Sequence, residues 1–340
     1  MNEARSVPRE IRQGRGCIFF NFGSAYALNL LVSIHSLRKH YDGSILVFLG
    51  RDESSDALSR DLELLGAEVE VLDGLSKSFD RHRIFEKSPF ATTLCFDSDV
   101  LFLGSIDALW EPLEREGILV TRFFPPPFGI DGTRDSHGPI SRLELLDGLR
   151  GLLDADILDQ AEHRMVRERI DINVGVFGVS FPKGARFIDD WAKNMEAGRR
   201  SEILLLDEML VVAMIERYPH YLADEVWNCP ADEYFRRTNL NDAVVIHYFA
   251  DGIRLFNDRR LGRNPQTWAG RKWYEAYFET TKTLDLASWR LLDPRFDRSV
   301  ESPFSGPAPV ILRNLLRDTE RAVRSVRNRL LDRSYWGRFR

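Results

Sequence analysis

Short apolar segments alternate with amphipathic segments along the first seventy residues of the chain. The apolar segments are four or five residues long, as expected of buried strands, and the amphipathic ones repeat leucines and isoleucines at helical spacing. The predicted elements are strands at Cys17–Phe20, Ile45–Leu49 and Val69–Leu72 and helices at Leu28–His40 and Ser55–Leu65. Strands that alternate with helices pair in parallel, with helices on both faces, so this pattern predicts an α/β fold.

A fourth predicted strand, Thr92–Phe96, ends in a pair of carboxylates. A helical stretch from Lys77 to Phe90 leads into this strand, and Asp97, Ser98 and Asp99 follow it directly. Open α/β sheets bind ligands at the carboxyl ends of their strands, and two carboxylates one residue apart can turn toward one divalent ion. The next segment is apolar again, a setting in which two solvated surface carboxylates would be unusual. We therefore interpret Asp97 and Asp99 as metal ligands.

The second half of the chain is less regular. A proline-rich sequence at Phe123–Gly129 excludes a helix, and Ser141–Arg169 is a charged, leucine-bearing helical region. We interpret residues 123–170 as an inserted lid or acceptor-side element. The remaining predictions are a strand at Val174–Val179, helices at Ala185–Met195 and Leu206–Tyr218, and a last strand at Ala243–Tyr248.

Composition adds few constraints. A chain of 340 residues with 44% apolar residues can bury one large α/β domain or two small ones. The three cysteines, Cys17, Cys95 and Cys229, lack zinc-binding spacing, so we expect reduced core thiols. No signal-peptide pattern is evident, and no apolar segment reaches the roughly 18 to 20 residues that span a bilayer. A cytoplasmic protein is therefore expected.

Charge is unevenly distributed along the chain. The basic C-terminal segment (Ile311–Arg340) holds nine arginines and three acids, so its charge is +6, and the net charge of -5 leaves -11 for the rest. A net negative charge on most of the chain does not indicate nucleic-acid binding. Apolar residues at helical spacing, with Tyr335, Trp336 and Phe339 near the end, predict a basic amphipathic helix. This helix would either lie on the anionic surface at the inner face of a membrane or pack on the domain with its arginines solvated.

Five separated motifs between Cys17 and Arg254 resemble the retaining GT-A glycosyltransferases of family eight, which include glycogenin and bacterial lipopolysaccharide galactosyl- and glucosyltransferases. The opening sequence Asn21–Tyr26, followed by Leu30–Arg38, looks like the nucleotide-binding loop of this family. The resemblance implies that Asn21, Phe22 and Tyr26 contact the donor, with the Tyr26 ring stacked on uracil. It also implies a Rossmann-like, mostly parallel sheet.

The same resemblance assigns further donor and metal residues. Arg81, sixteen residues before Asp97, matches the basic residue that contacts the donor's phosphate and sugar, and Ser98 lies in the acidic motif at the donor. The sequence Asn173–Phe177 is similar to the family's Asn-x-Gly strand, in which the Asn faces sugar hydroxyls. His247 matches the third metal ligand.

Two motifs depart from the family pattern. Asp207 and Glu208 lie where the family has an acid followed by Gln, so Glu208 is a candidate nucleophile or ion-pair partner near the anomeric carbon, or only a helix N-terminal acid. Asp207 would contact sugar hydroxyls. By the same resemblance Gly252 and Arg254 are donor-binding residues. After His247 the spacing to Gly252 is one residue longer, Arg254 replaces a lysine and a Pro-Trp pair is missing, which weakens a phosphate-clamping role for Arg254.

By this resemblance the chain transfers a hexose from a UDP-sugar, with retention of configuration, to a glycan, lipid-linked or protein acceptor. The cofactor would be Mn²⁺ or Mg²⁺, and an imidazole ligand favours Mn²⁺. The expected organisation is a polar segment at 1–16, the GT-A catalytic domain at 17–260, an extension at 261–310 and the helical tail at 311–340.

Two alternatives stay open on sequence alone. Haloacid-dehalogenase-type phosphatases also carry an apolar strand that ends in Asp-x-Asp, although that strand is the first of their domain, whereas three predicted strands precede Asp97 here. Asp189 and Asp190 lie in a predicted helix and do not supply the later acidic pair of that superfamily. The second alternative is a nucleotide-sugar-binding protein without catalytic turnover.

Overall fold

The computed structural model of the chain describes residues 12–21, 27–51, 56–73, 75, 81–123, 142–168, 170–198, 205–231, 238–248 and 268–284. The strands are β1 (Arg15–Asn21), β2 (Ser44–Gly50), β3 (Glu68–Leu72), β4 (Thr92–Phe96), β5 (Val100–Phe102), β6 (Ile118–Phe123), β7 (Asp171–Ser180), β8 (Tyr221–Ala223), β9 (Cys229–Pro230) and β10 (Val245–His247). The α-helices are α1 (Ala27–Arg38), α2 (Asp56–Leu64), α3 (Arg81–Lys87), α4 (Trp110–Glu116), α5 (Arg142–Asp147), α6 (Ala155–His163), α7 (Ala185–Gly198), α8 (Leu206–Met214) and α9 (Trp268–Thr283).

The main sheet has seven strands in the order β3-β2-β1-β4-β7-β6-β8. The first four pair in parallel, and β8 pairs in parallel with β6. Strand β7 pairs antiparallel with both β4 and β6, so it alone among the seven points the other way. The predicted mostly parallel sheet is confirmed, and β4 occupies its centre. The carboxyl end of β4 therefore meets the amino end of β7 at one edge of the sheet.

Both faces of the main sheet are covered by helices, as the alternating pattern predicts. Along β1, Cys17 and Phe19 face one apolar core, while Ile18 and Phe20 face the other. Residues of α1, α2 and α9 belong to the first core, and residues of α3, α6, α7 and α8 belong to the second. Since successive strand side chains point to opposite faces, a strand covered on both sides must be apolar throughout.

Several element boundaries differ from the sequence predictions for local reasons. Helix α3 ends at Lys87, before Pro89, rather than at Phe90, because a proline disfavours helical backbone in the residue before it. Helix α8 ends at Met214 and continues only as a 3₁₀ turn, since Tyr218 is extended before a proline. The predicted strand at Ala243–Tyr248 is the shorter β10, and β6, β8, β9 and α4 were not predicted.

A second, three-stranded sheet lies beside the main one in the order β5-β10-β9. Strand β10 pairs antiparallel with β5, so Val245 lies opposite Phe102 and His247 opposite Val100. Strand β5 follows β4 after three residues, which brings the second sheet to the carboxyl edge of the first.

Helix α9 packs on α1 and is part of the first core, to which it contributes Ala269, Trp273 and Tyr277. The hydroxyl of Tyr248, next to the end of β10, donates a hydrogen bond to the Ala269 carbonyl at 2.7 Å. In the part of the chain that the structure describes, no helix has both the length and the apolar composition to cross a membrane. The basic C-terminal segment and residues 249–267 lie outside the described residues, so the predicted domain boundaries stay predictions.

Candidate active site

Asp97 and Asp99 occupy the tight connection between the two sheets. The Asp97 amide donates to the Gly175 carbonyl of β7 at 2.9 Å, and the Asp99 carbonyl accepts from the Tyr248 amide at 3.0 Å. These backbone bonds fix one carboxylate to each sheet. Their side chains keep 23% and 13% of their surface exposed, which leaves room for a ligand.

His247 joins the two carboxylates because of the β5–β10 register. Its Nε2 atom lies 3.2 Å from Asp99 Oδ1 and 3.7 Å from Asp97 Oδ2, and one ligand atom from each of the three residues lies within 4.8 Å of the others. Burial alone would lower the pKa of His247, but the carboxylates of Asp99 and Asp97 outweigh it and raise the pKa above that of a free imidazole. The three residues predicted as metal ligands are thus brought together.

The geometry and chemistry of these three groups fit a divalent cation. Neighbouring ligands of an octahedral ion at about 2.1 Å are about 3.0 Å apart, and opposite ligands about 4.2 Å. The distances between the imidazole and the two carboxylates fall between these values. Two carboxylates and one imidazole suit ions such as Mn²⁺.

Arg81, the first residue of α3, is the buried cation of the site. Its Nη2 donates to Asp97 Oδ1 and its Nη1 donates to the Val174 carbonyl, both at 2.8 Å. Its Nε lies 3.8 Å from Asp207 Oδ2, and its guanidinium lies over the Phe20 ring, 5.1 Å from the centroid. Arg81 therefore ties β4, β7 and α8 together at the edge where the acidic pair lies.

Asp207 and Glu208 occupy the first turn of α8. Leu205, the residue before the first residue of α8, has a φ of 55°. This left-handed conformation is uncommon for leucine and turns the chain sharply into the helix. Asp207 is 2% exposed, and burial, opposed by Arg81, raises the pKa of its carboxyl to about 7. The negative charge of Glu208 contributes to raising the pKa of Asp207, which places both carboxylates in the same electrostatic cluster.

Asn173 and Gly175 lie in the amino-terminal half of β7, beside Asp97. Asn173 Oδ1 accepts from the Gly175 amide at 2.9 Å. A methyl group added at Gly175 would lie 2.5 Å from His247 Nδ1 and 2.9 Å from Asn173 Oδ1. The space that glycine leaves is therefore filled by the imidazole of His247.

One buried polar residue of the site was missed by the sequence analysis. The Oδ1 atom of Asn228 lies 2.8 Å from His247 Nδ1, and its Nδ2 donates to Asn173 Oδ1 at 2.9 Å. A single asparagine before a two-residue strand carries no recognisable spacing, so nothing in the sequence pattern distinguishes it.

The other predicted site residues divide into two groups. Asn21 is the last residue of β1 and is 1% exposed, and Ser98 is half-buried in the turn between the carboxylates. The predicted donor residues Phe22, Tyr26, Gly252 and Arg254 lie outside the described residues.

No protein-family model and no curated protein matches the chain. Solved structures do match it. The galactosyltransferase LgtC, solved in complex with donor and acceptor sugar analogues, is 15% identical and covers 82% of this chain and 100% of its own, with a TM-score of 0.50. The apo form of the glycosyltransferase GlyE of Streptococcus pneumoniae TIGR4 is 13% identical and covers 82% of this chain and 64% of its own, with a TM-score of 0.51. The chain has a GT-A glycosyltransferase fold.

At these identities the similarity is one of fold, and function has to be argued from the site. The GT-A fold does not favour the phosphatase alternative. Asp190, one of the two helical acids considered for it, lies on α7 and accepts a hydrogen bond from the Tyr218 hydroxyl at 2.5 Å. Its partner is thus a core-facing tyrosine, and the Asp97–Asp99 pair is completed by His247 and Arg81 instead.

Gly175→Ala should weaken metal binding, because the added methyl group displaces the imidazole from its hydrogen bond with Asn228. We expect about tenfold weaker Mn²⁺ binding and an overpacking cost of about 1–3 kcal/mol in the free energy of unfolding. Mn²⁺ titration and urea denaturation measure the two effects. Gly151→Ala is the matched control, since a methyl group there meets no atom within 4 Å. Equal Mn²⁺ affinity in both variants would contradict the prediction.

The buried carboxyl of Asp207 should make stability depend on pH. The pKa of Asp207 is about 7 in the folded protein, whereas the usual value, expected in the unfolded chain, is about 3.9. Between these two pH values Asp207 keeps its proton in the folded protein and has lost it in the unfolded chain. Stability is therefore lost as pH rises toward 7, and Asp207→Asn, which mimics the neutral form, escapes this loss. Between pH 5 and 8 the variant should gain about 2–3 kcal/mol relative to wild type.

Urea denaturation across this pH range measures that difference. Asp156→Asn is the control, because Asp156 is an exposed acid in the first turn of α6. A pH-independent difference between wild type and Asp207→Asn would show that Asp207 is charged in the folded protein at all these pH values.

Proposed function

We propose that this chain is a metal-dependent glycosyltransferase that moves a hexose from a UDP-sugar to an acceptor with retention of configuration. The observation that carries the proposal is the cluster of Asp97, Asp99 and His247 at the carboxyl end of the central strand of a GT-A fold. Neither the fold nor the acidic pair would be sufficient alone. LgtC, which shares the fold, was solved with donor and acceptor sugar analogues.

The charges of the site support a bound cation. Among the described residues of the cluster, the carboxylates of Asp97, Asp207 and Glu208 interact with the guanidinium of Arg81, and that of Asp99 interacts with Asp97. Even with a proton on Asp207 and a neutral imidazole, the other three carboxylates and one guanidinium leave two negative charges. A diphosphate would be repelled from such a site unless a divalent ion lay between them. When bound, the ion would neutralise charge on the departing diphosphate.

The ligand set favours Mn²⁺ over Mg²⁺. Mg²⁺ prefers an all-oxygen shell with several waters, whereas Mn²⁺ accepts an imidazole more readily. His247 is 2% exposed and lies against both carboxylates, so it would hold the ion from the protein side. The open side of Asp97 and Asp99 would then face the donor.

The remaining residues take roles by resemblance to the family. Asn173 would hold sugar hydroxyls, Arg81 would steady the phosphate side of the donor through Asp97, and Asp207 would complete the sugar contacts. Glu208, in the first turn of α8, is our candidate for the group beneath the anomeric carbon. Its position in the acidic cluster supports this role, because a carboxylate there stabilises positive charge that develops on the sugar.

The helical region after residue 141 supports an acceptor-side element. Helices α5 and α6 pack against α8, the helix that begins with Asp207 and Glu208. An acceptor bound beside these helices would lie near the sugar. We propose a glycan, lipid-linked or protein acceptor.

A thermal-shift screen of nucleotide-sugars with and without Mn²⁺ tests the proposal. A ligand at one hundred times its dissociation constant stabilises the folded protein by about 2.7 kcal/mol, which raises the melting temperature by several degrees. UDP-sugars should do so only with Mn²⁺. If no nucleotide-sugar shifts the melting temperature in either condition, the proposal is wrong.

A donor-hydrolysis assay separates an enzyme from a binding protein. We expect slow, Mn²⁺-dependent release of UDP from the stabilising UDP-sugar. Calorimetric binding of UDP and Mn²⁺ without any hydrolysis or transfer would favour the non-catalytic alternative.

A further inference from the structure

Asn228 connects the proposed metal ligand His247 to the central sheet. It lies between a 3₁₀ turn and β9 and is 2% exposed. Its side chain contacts His247 Nδ1 at 2.8 Å, Thr121 Oγ1 at 2.7 Å and Asn173 Oδ1 at 2.9 Å. Thr121 lies on β6, where the pairing with β7 changes register between Leu119 and Thr121.

Two of these contacts determine which way the Asn228 amide faces. The single hydroxyl proton of Thr121 is directed at the carbonyls of Asn173 and Val176, at 2.8 and 3.2 Å, so Thr121 Oγ1 can only accept from Asn228. Asn173 Oδ1 already accepts from the Gly175 amide, so it also acts as an acceptor. Both neighbours therefore require a donor, and the NH₂ group of Asn228 must face them.

The amide orientation in turn decides the proton position on the imidazole. With its NH₂ group toward Thr121 and Asn173, Asn228 presents Oδ1 to His247, and an amide oxygen only accepts hydrogen bonds. Nδ1 of His247 must therefore carry a hydrogen, whether the ring is neutral or charged. Nε2 is then the nitrogen that can offer a lone pair to an ion beside Asp97 and Asp99.

We propose that Asn228 is a positioning residue that holds His247 as the Nδ1–H tautomer with Nε2 directed at the metal site, and that Thr121 fixes the Asn228 amide. The metal role of His247 rests on the proposed function, whereas the tautomer follows from the hydrogen bonds alone. Because Asn228 also binds Asn173, one buried amide supports both the metal ligand and the residue assigned to the sugar.

The tautomer can be measured in the metal-free protein. Long-range ¹H–¹⁵N spectra of ¹⁵N-histidine-labelled protein distinguish the two ring nitrogens, and His247→Asn identifies the signal among the seven histidines. At a pH where the ¹⁵N chemical shifts show a neutral ring, wild-type His247 should be in the Nδ1–H form. In Asn228→Leu, which has a similar shape, the Nε2–H form should dominate, because Nδ1 loses its acceptor while Asp99 still faces Nε2.

The same variants should bind Mn²⁺ differently. Loss of a hydrogen bond that orients a histidine ligand weakens metal binding about 10-fold to 100-fold, so we expect at least tenfold weaker Mn²⁺ binding in Asn228→Leu by electron paramagnetic resonance titration. Thr121→Val removes only the hydroxyl that fixes the amide and should show a smaller loss of affinity. Asn194→Ala, which removes a part-buried amide that donates to the Asp190 carbonyl of α7, is the control and should leave Mn²⁺ affinity unchanged.

Two results would overturn this inference. One is an Nε2–H tautomer of His247 in the wild-type protein. The other is Mn²⁺ affinity within twofold of wild type in both Asn228→Leu and Thr121→Val, and Thr121→Val decides if Asn228→Leu does not fold. Absence of Mn²⁺ binding to the wild-type protein would instead overturn the proposed function, while the tautomer would still test the role of Asn228.

Discussion

Asp99→Ala is expected to lower kcat/KM for Mn²⁺-dependent transfer from a UDP-sugar by at least about a thousandfold. Asp99 supplies one of the two carboxylates of the cluster and is the closest acidic neighbour of the His247 imidazole. Without it, the ion keeps one carboxylate and one imidazole, and His247 loses the group that faces its Nε2. Metal binding and neutralisation of the diphosphate should fail together.

Steady-state kinetics and Mn²⁺ titration of the same preparation measure this loss. Asp107→Ala is the matched control, because Asp107 is an exposed acid eight residues further along the chain and outside the cluster. The control should retain wild-type kinetics. Metal-dependent UDP binding and transfer that survive in Asp99→Ala would show that the ion is held elsewhere.

Arg81→Met should destabilise the folded protein by about 3–5 kcal/mol, because it removes the cation that compensates buried acids. Arg81 is 6% exposed and hydrogen-bonded to Asp97, and it opposes the raised pKa of Asp207. Methionine has a similar length but leaves these carboxylates without a positive partner, and the Val174 carbonyl loses its donor. Urea denaturation at pH 8 measures the change.

Arg115→Met shows what a surface pair contributes. Arg115 also contacts two carboxylates, those of Glu111 and Glu116, but its side chain is 53% exposed. Its loss should change the free energy of unfolding far less than the loss of Arg81, because water screens an exposed ion pair. Saturating Mn²⁺ should restore part of the stability of Arg81→Met, since the ion supplies positive charge beside Asp97. If the two arginine variants lose the same stability, Arg81 is not a buried counter-charge.

The elements around the first four strands follow from local pattern. Each of β1, β2, β3 and β4 lies within two residues of its predicted position. Strands β1, β2 and β4 are buried almost throughout, and β3, at the edge of the sheet, is only partly buried and carries two glutamates. The acidic pair was placed correctly at the end of β4, since the apolar pattern stops abruptly at Asp97. The three cysteines are buried and free, as expected.

Elements that follow the first four strands were harder to predict. Strands β8 and β9 have three and two residues, too few to establish a period of two. The reversed direction of β7 leaves no local signal either, because strand direction depends on the path of the preceding chain. A residue such as Asn228, whose importance comes from three hydrogen-bonding partners on other elements, has no signature in its own neighbourhood.

The sequence by itself determined the α/β alternation, the acidic pair at the end of its fourth strand and, through resemblance, the residues to be tested with it. Apolar periodicity encodes burial over a few residues, so it specifies elements and their ends. Only the tertiary structure decided that His247 faces Asp99, that Arg81 is bound to Asp97 and that the space at Gly175 belongs to the imidazole. These contacts arise from strand order and the β5–β10 register, which join residues far apart in the chain and therefore lie beyond any local pattern.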